Sequence, residues 1–294
     1  VGGLTIDRQC AGGLDAVLLA VALVEAGRHE MILAGGAESY SRRPLRARIP
    51  PGGGAAEPYD QAPFTPWPER DPGMAEAADA LARELGIAQA EQDAWAVESH
   101  RKAQALPEAR RAAEIVPLAG LEADAFTRAL TPRLCARAPR VTGSITAANM
   151  AVAADGAGLV LVVSERAARR LNTPGLALLG RASLGGDPER PGLAPVAAIG
   201  AALTEASLAP SDMSAAEIME AFAVQAIACQ RGAGLPEEIV NLAGGALARG
   251  HPIGASGAVL AVSLFHQLRH DGGPGLAAIA AAGGLGTALV AEMR

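Results

Sequence analysis

The chain has 294 residues, of which 50% are hydrophobic, so it exceeds the usual size of one domain and is expected to form two or three packing units. Its formal net charge is −6 and its 25 basic residues are scattered, which argues against nucleic acid or an anionic membrane as a partner. It contains neither an apolar run long enough to span a membrane nor the layout of a signal peptide.

The first part of the chain predicts short strands that alternate with helices. Residues 4–6 resemble a strand, residues 7–9 form a polar corner, and residues 14–24 have the apolar character of a helix buried on most sides. Further short strands are predicted at residues 30–33 and 158–163. This alternation indicates an α/β layered core.

The character of the sequence changes between those strands. Residues 42–72 are crowded with Pro, Gly and Arg, and residues 74–105 predict a helix with Asp, Glu and Arg on one face. We interpret residues 43–144 as an inserted, more solvated domain, called the inserted region below. It separates an N-terminal part, residues 1–42, from its continuation at residues 145–170.

The α/β pattern resumes in residues 171–294, the predicted C-terminal half. Its predicted elements are a strand at 176–179, helices at 196–206 and 220–230, a helix after His251, and a β-hairpin formed by 276–280 and 288–291. A strand, a turn and a helix around Cys10, and again around His251, hint at two similar halves.

The three cysteines, Cys10, Cys135 and Cys229, lie far apart without a CxxC pair. This spacing favours a reducing, cytoplasmic compartment and predicts neither a disulfide scaffold nor a metal site. Cys10 comes between a predicted strand and a helix, so its sulfur is expected near a helix N-terminus, where N–H groups favour a thiolate. From this pattern alone, a buried structural cysteine is the commoner interpretation.

Residues 241–257, called the His251 loop below, are the most informative stretch. Glycines and a His-Pro pair precede an apolar helix, and this composition predicts a backbone that approaches another group closely. A lone His is more often a structural group than a catalyst. The glycines favour a functional loop here, because they cost conformational entropy that an ordinary connection avoids.

The same residues carry a family resemblance. The His251 loop matches, at every specified position, the thiolase signature N-x-x-G-G-x-[aliphatic]-[small]-x-G-H-P-x-G-x-[ST]-G. Residues 7–16 resemble the segment around the acyl-accepting cysteine of thiolases, and residues 34–41 resemble the element that follows it. Residues 146–149 and 155–157 resemble the return from the family's loop domain. The chain resembles a thiolase throughout, although the family has further elements before the nucleophile segment.

The resemblance implies a thiolase-like α/β fold, layered α-β-α-β-α from two similar halves with the N-terminal one incomplete, plus the inserted loop domain. It implies an acyl-CoA acyltransferase in which His251 deprotonates Cys10 and the thiolate accepts the acyl group. Coenzyme A enters as a substrate, no metal or covalently bound cofactor is implied, and a homodimer or homotetramer is expected. Positions that correspond to contacts with substrate or CoA are His100, Ala151, Phe222 and Gly283.

Three positions depart from the family pattern. Met219 stands where thiolases have an Asn that holds an oxyanion water, and Ala280 stands where they have a second cysteine, the base of the condensation step. Ala282 replaces a glycine of the second oxyanion hole, and its N–H still donates unless the position needs positive φ.

Three functions stay open after these departures. One is a thiolase that forms or cleaves 3-ketoacyl-CoA. Another is an enzyme limited to the half-reaction, which passes the acyl group to water or to another acceptor. The third is a non-catalytic thiolase-like subunit that binds acyl-CoA.

Overall fold

A computed structural model describes residues 2–294. Its helices are α1 (Gly12–Glu25), α2 (Met74–Leu85), α3 (Gln89–Ala105), α4 (Glu108–Glu114), α5 (Pro132–Cys135), α6 (Glu165–Leu171), α7 (Ala194–Ala206), α8 (Ala223–Gly232), α9 (Ala246–Arg249) and α10 (Ser256–Asp271). Its strands are β1 (Met31–Ser39), β2 (Arg46–Arg48), β3 (Glu57–Tyr59), β4 (Arg140–Thr142), β5 (Ile145–Thr146), β6 (Asp155–Val163), β7 (Leu176–Gly185), β8 (Ala215–Ile218), β9 (Pro274–Ala281) and β10 (Leu285–Met293).

Two sheets form the β-layers of the core. The first has two strands, because β1 and β6 pair antiparallel across the inserted region. The second has four strands in the order β7-β10-β9-β8, of which β8 and β9 are parallel and the other pairs antiparallel. α7 packs on one face of the second sheet, and α1 and α10 lie between the two sheets. The predicted layered α/β architecture is confirmed.

Strand β9 explains why the four-stranded sheet is buried on both faces. Successive side chains of a strand point to opposite faces. Leu276 and Ala278 pack in the cluster on the α7 side, whereas Ala277 and Ile279 pack in the cluster on the α1 and α10 side. The predicted hairpin is the antiparallel pair β9 and β10.

Two local predictions were wrong. Residues 4–6 form no strand, because no neighbouring strand within the described residues pairs with them. His251 follows the short helix α9 instead of a strand, so the strand-turn-helix repeat fails there. The helical character predicted for residues 74–105 is confirmed, in two helices, since Gly86 has a φ of 66° and ends α2.

The inserted region carries its own small elements. Helices α2 to α5 and strands β2 to β4 lie within it, and Leu81 and Ile87 pack against Val224 and Ile227 of α8. The region therefore rests on the C-terminal half. Its boundaries at residues 43 and 144 stay a prediction.

Candidate functional site

Cys10 lies in a short 3₁₀ turn that leads directly into α1, so the predicted placement before a helix is observed. The turn is tight. Gln9 has a φ of 52°, which non-glycine residues seldom adopt, and its N–H donates to Oδ1 of Asp7 at 2.9 Å. The Cys10 side chain is partly exposed and packs against the core cluster that contains Ala11 and Leu14.

The N-terminal ends of α1 and α10 cross in close contact, because glycines occupy the crossing point. A Cβ on Gly257 would lie 2.4 Å from the N atom of Leu14, and a Cβ on Gly13 would lie 2.7 Å from the N atom of Ala258. No side chain fits in these spaces. The prediction that the His251 loop approaches another backbone closely is confirmed, and the helix that follows Cys10 is the partner.

The backbone of His251 is hydrogen-bonded on both sides to one segment, residues 152–154. Its N–H donates to the carbonyl oxygen of Val152 at 2.7 Å, and its own carbonyl oxygen accepts from the N–H of Ala154 at 3.1 Å. Gly250, with a φ of 95°, makes the bend immediately before it. The position of His251 is therefore set by main-chain hydrogen bonds.

A serine five residues further along the chain is in contact with the ring of His251. Ser256 Oγ lies 2.7 Å from Nδ1 of His251 and 3.0 Å from the carbonyl oxygen of Pro252. When the hydroxyl donates to that carbonyl oxygen, Nδ1 donates to Oγ. The neutral imidazole in this arrangement carries its proton on Nδ1 and keeps the Nε2 lone pair free, as a base requires.

Burial sets the charge state of both candidate residues. Desolvation lowers the pKa of His251 to about 4. Desolvation also raises the pKa of Cys10 to about 11; its own backbone N–H lowers it in part, and the charge of Glu38 raises it further. In the part of the chain that the structure describes, no hydrogen bond joins Cys10 to His251. At neutral pH the two groups are a thiol and an uncharged imidazole.

Glu38 is a residue of this site that the sequence did not single out. It lies on β1, and its Oε2 accepts a hydrogen bond from the N–H of Gly254 at 3.0 Å. The carboxylate thus connects the first sheet to the loop of His251 and also acts on the Cys10 thiol. Glu38 belongs to the segment, residues 34–41, that carries the family resemblance, and this was the available signal. Ser256 was equally visible as the [ST] position of the signature.

The extended segment 149–154 brings two of the predicted contact residues next to each other. The N–H of Ala151 donates to the carbonyl oxygen of Ala221 at 3.0 Å, and Asn149 accepts from the N–H of Ala223 at 2.9 Å. Phe222 lies between these two partners. Because the same segment also binds the His251 backbone, Ala151 lies on the stretch of chain that borders the candidate base, and Phe222 lies on the neighbouring stretch that pairs with it.

His100 and Gly283 are placed by other parts of the fold. His100 is buried on α3, where its Nδ1 accepts from the N–H of Arg128 at 3.2 Å. Desolvation, and secondly the charge of Arg128, lower the pKa of His100 to about 4. Gly283 has a φ of 79° in the turn between β9 and β10 and faces the backbone of Phe64. Within residues 2–294, neither is hydrogen-bonded to Cys10 or His251.

The altered family positions lie near the end of the second sheet. Met219 is buried in the same apolar cluster against which Cys10 packs. Ala280 pairs with Gly286 across β9 and β10. Ala282 is buried and does not have a positive φ. The backbone strain that a positive φ would cause in an alanine is therefore absent at this position. That the Ala280 methyl group shares a cavity with Cys10 stays a prediction.

No group of three or more His, Cys, Asp or Glu side chains in residues 2–294 is arranged to hold a metal ion. None of the described helices is both long and apolar enough to cross a membrane.

Two family models match the chain. The model of the thiolase N-terminal domain matches residues 1–166, and the model of the thiolase C-terminal domain matches residues 173–293. A putative acetyl-CoA C-acetyltransferase of Bacillus subtilis is 40% identical, over 100% of this chain and 80% of its own length. An acetyl-CoA acetyltransferase of Cupriavidus necator is 36% identical, over 100% of this chain and 80% of its own length.

Solved structures share the fold. Human mitochondrial 3-ketoacyl-CoA thiolase superposes with a TM-score of 0.90 at 31% identity, over 99% of this chain and 78% of the human chain. A second structure of that protein, in complex with CoA, has the same TM-score at 30% identity and covers the same shares of the two chains.

Proposed function

The chain belongs to the thiolase family, and from that membership we propose that it transfers acyl groups from acyl-CoA through a thioester on Cys10. Acyl-CoA is then the substrate and free CoA the first product. The CoA held by a structural relative supports this choice of substrate. His100, Ala151, Phe222 and Gly283 are the proposed contacts for the substrate and its CoA part.

In the proposed reaction, Nε2 of His251 takes the proton from the Cys10 thiol. The new thiolate attacks the carbonyl carbon of the thioester, and the C–S bond to CoA breaks. The departing CoA thiolate receives the proton back from His251, so an acyl-Cys10 and CoA–SH are formed from a thiol and acyl-CoA. The uncharged state of both residues suits this neutral start. In the tautomer in which Nδ1 donates to Ser256, Nε2 has the lone pair that the reaction needs.

The observation that carries the proposal is the crossing of α1 and α10. At this crossing, the turn that contains Cys10 and the start of α1 lie next to the start of α10, the helix that follows His251. The test is to incubate the protein with acetyl-CoA and with a longer acyl-CoA and to map the added acyl group by peptide mass spectrometry. The acyl group is expected on Cys10 alone.

Two buried cysteines provide matched controls. Cys135→Ser and Cys229→Ser should still be acylated, because both residues are buried and neither belongs to the cluster against which Cys10 packs, whereas Cys10→Ser should not. A protein that releases no CoA and gains no acyl group would support the non-catalytic acyl-CoA-binding subunit instead.

The condensation step is the weak part of the proposed activity. Ala280 has no acid or base to offer, and Met219 places a buried apolar side chain where the family has its water-holding Asn. These two residues favour, as a second candidate function, an acyltransferase or thioester hydrolase that stops after the first half-reaction.

Restoring the two family residues decides between the candidates. Ala280→Cys should raise formation or cleavage of 3-ketoacyl-CoA without changing Cys10 acylation. Met219→Asn should add a separate gain of ~100-fold, the usual worth of one oxyanion-hole donor. If the double variant still acylates Cys10 but handles no 3-ketoacyl-CoA, the half-reaction is the function.

A further inference from the structure

A buried ionic cluster reaches the His251 loop from the inserted region. Glu114, the last residue of α4, accepts from Nε of Arg110 at 3.1 Å through Oε2. Through Oε1 it accepts from Nη1 of Arg249 at 3.1 Å. All three side chains are largely buried. One carboxylate thus joins two guanidinium groups away from bulk water.

Both arginines are fixed through their other nitrogens as well. Nη2 of Arg249 donates to the carbonyl oxygen of Ala243 at 2.7 Å, inside the His251 loop. Arg110 donates to Oε1 of Gln267 at 3.1 Å and to a backbone carbonyl of α10 at 3.0 Å. The cluster therefore fastens α4 to the chain on both sides of His251.

Neighbouring residues of the inserted region hold the same loop. Oγ1 of Thr127 donates to the carbonyl oxygen of Ala248 at 3.0 Å. The ring of Phe126 packs on Gly250, where a Cβ would lie 2.8 Å from a ring carbon. Together with Arg249, three consecutive residues are in contact with the inserted region immediately before His251.

Two further carboxyl groups lie near these arginines. Desolvation raises the pKa of Glu217 to about 7 and raises the pKa of Asp124, although Arg249 lowers both. Neither is hydrogen-bonded to an arginine of the cluster in the part of the chain that the structure describes. Glu114 is therefore the hydrogen-bonded counter-charge of the cluster.

We propose that Glu114 is a positioning residue for His251: through Arg249 it holds the backbone that carries the base. This inference rests on the proposed function. Without the carboxylate, two buried guanidinium groups lose their hydrogen-bonded counter-charge, and Arg249 gains by moving toward water. Because a displacement of ~1 Å can cost ~100-fold in rate, a small shift of the loop is enough to slow proton transfer.

The test compares acylation of Cys10 by acetyl-CoA in Glu114→Gln, in Arg249→Met and in the double variant. The acylation rate at saturating acetyl-CoA is expected to fall by ~10- to 100-fold in each, with the half-saturating concentration unchanged. The double variant should lose no more than the worse single variant, since both remove one contact. Glu98→Gln is the matched control, because Glu98 pairs with Arg101 on an exposed surface, and it should acylate at the wild-type rate.

Two outcomes would overturn the inference. One is a Glu114→Gln protein that is less stable yet acylates Cys10 as fast as the Glu98→Gln control, which would make the cluster purely structural. The other is an additive loss in the double variant. If Glu114→Gln does not fold, Arg249→Met gives the same readouts, since it leaves Glu114 paired with Arg110.

A spectroscopic readout separates this inference from the proposed function. If the wild-type protein forms no acyl-Cys10, the proposed function fails, and the ring signals of the five histidines then decide the positioning role by NMR. The His251 signal, assigned by its loss in His251→Gln, should shift in Glu114→Gln and stay in place in Glu98→Gln. An unmoved signal in Glu114→Gln would end the proposal.

Discussion

The two sheets of this chain have similarly apolar strands but differ in how their faces are covered. In the four-stranded sheet, Leu276 on β9 is 0% exposed and Leu289 on β10 is 4% exposed. In the two-stranded sheet, Leu33 on β1 is 65% exposed and Leu161 on β6 is 52% exposed. The four-stranded sheet lies between α7 and the pair of α1 and α10, whereas the two-stranded sheet packs on α1 and α10 through one face only.

The two proposed catalytic residues precede helices that differ in how they pack on these sheets. Cys10 leads into α1, which packs mainly on the less covered sheet, whereas His251 leads into α10, which packs extensively on both sheets. Elements with few buried apolar contacts open at lower free energy than well-packed ones. We therefore expect the half that carries the nucleophile to depend on the half that carries the base.

The largest effect should come from removing the base. His251→Ala is expected to slow acylation of Cys10 by ~100- to 10,000-fold, the usual contribution of a positioned base. His270→Ala, at an exposed position on α10, should keep the wild-type rate. CoA release in a single turnover measures both. Fast acylation in His251→Ala would show that the two halves do not share the reaction in this way.

The reactivity of the Cys10 thiol toward an alkylating reagent should depend on pH, and this dependence should not require His251. With its pKa raised to about 11, the thiolate fraction grows as pH rises from 7 to 10, so alkylation by iodoacetamide should accelerate ~10-fold per pH unit. The same slope is expected in His251→Ala. A rate that is already maximal at pH 7 would mean that the resting residue is a thiolate.

The next effect compares equivalent leucines in the two sheets. Leu276→Ala should reduce the free energy of unfolding by ~2–5 kcal/mol, because it leaves a cavity in a close-packed core. Leu161→Ala should change it by less than ~0.5 kcal/mol, as is usual at an exposed position. Urea unfolding measures the pair. Equal losses would indicate that the outer face of β6 is covered in solution.

Two carboxyl groups, one in each sheet, should give opposite pH dependences. Desolvation raises the pKa of Glu217 on β8 from 4.5 to about 7, so the unfolded chain releases this proton first and folding stability falls as pH rises between these values. Hydrogen bonds from Ser41 lower the pKa of Asp155 on β6, so its stabilising contribution is present above 3.8 and is lost as pH falls through its lowered pKa.

Substitution of each carboxyl tests these signs. Glu217→Gln should gain stability relative to the wild type from pH 5 to pH 8, by on the order of 1–3 kcal/mol. Asp155→Asn should lose stability at pH 7 and resemble the wild type in acid. Urea midpoints from pH 5 to pH 8 measure the first variant, and midpoints taken at pH 7 and below pH 3.8 measure the second. A Glu217→Gln difference that is constant with pH would contradict the raised pKa.

The smallest effect on folding concerns the exposed face of the first sheet. Leu33, Leu159 and Leu161 form an apolar surface, and such surfaces favour association. We expect the chain to form oligomers or aggregates, and Leu33→Lys to lower the average mass in light scattering with almost no change in unfolding. Leu85→Lys, on α2, is the control. A wild-type protein that stays a stable monomer would contradict the expectation.

Local patterns predicted much of the fold. Periodicity located α1, α7, α10 and the β9–β10 hairpin, because the apolar residues of these elements form patterns that a short stretch of sequence already shows. It failed at residues 4–6, where apolar residues lack a strand to pair with. It predicted the helical character of residues 74–105 but not the break at Gly86, where one glycine conformation separates α2 from α3. Pairing and φ angles depend on neighbours that a local pattern does not contain.

The candidate site divides in the same way. Cys10 and His251 could be singled out because glycines and a helix start mark their surroundings. The pairing of Glu114 with Arg249 could not, since 135 positions separate two ordinary charged residues. Which ring nitrogen of His251 carries the proton depends on whether the Ser256 hydroxyl donates to the carbonyl oxygen of Pro252. Such roles follow from three-dimensional contacts.

The glycine contacts at the crossing of α1 and α10 also have a consequence for slow motions. With Gly13 against Ala258 and Gly257 against Leu14, the two backbones meet without side chains between them, so neither helix can slide without breaking contact along the other. The amide hydrogens of these first turns should therefore exchange with solvent only when the whole core opens. We expect the turn that presents Cys10 to share this slow opening, because it leads directly into α1.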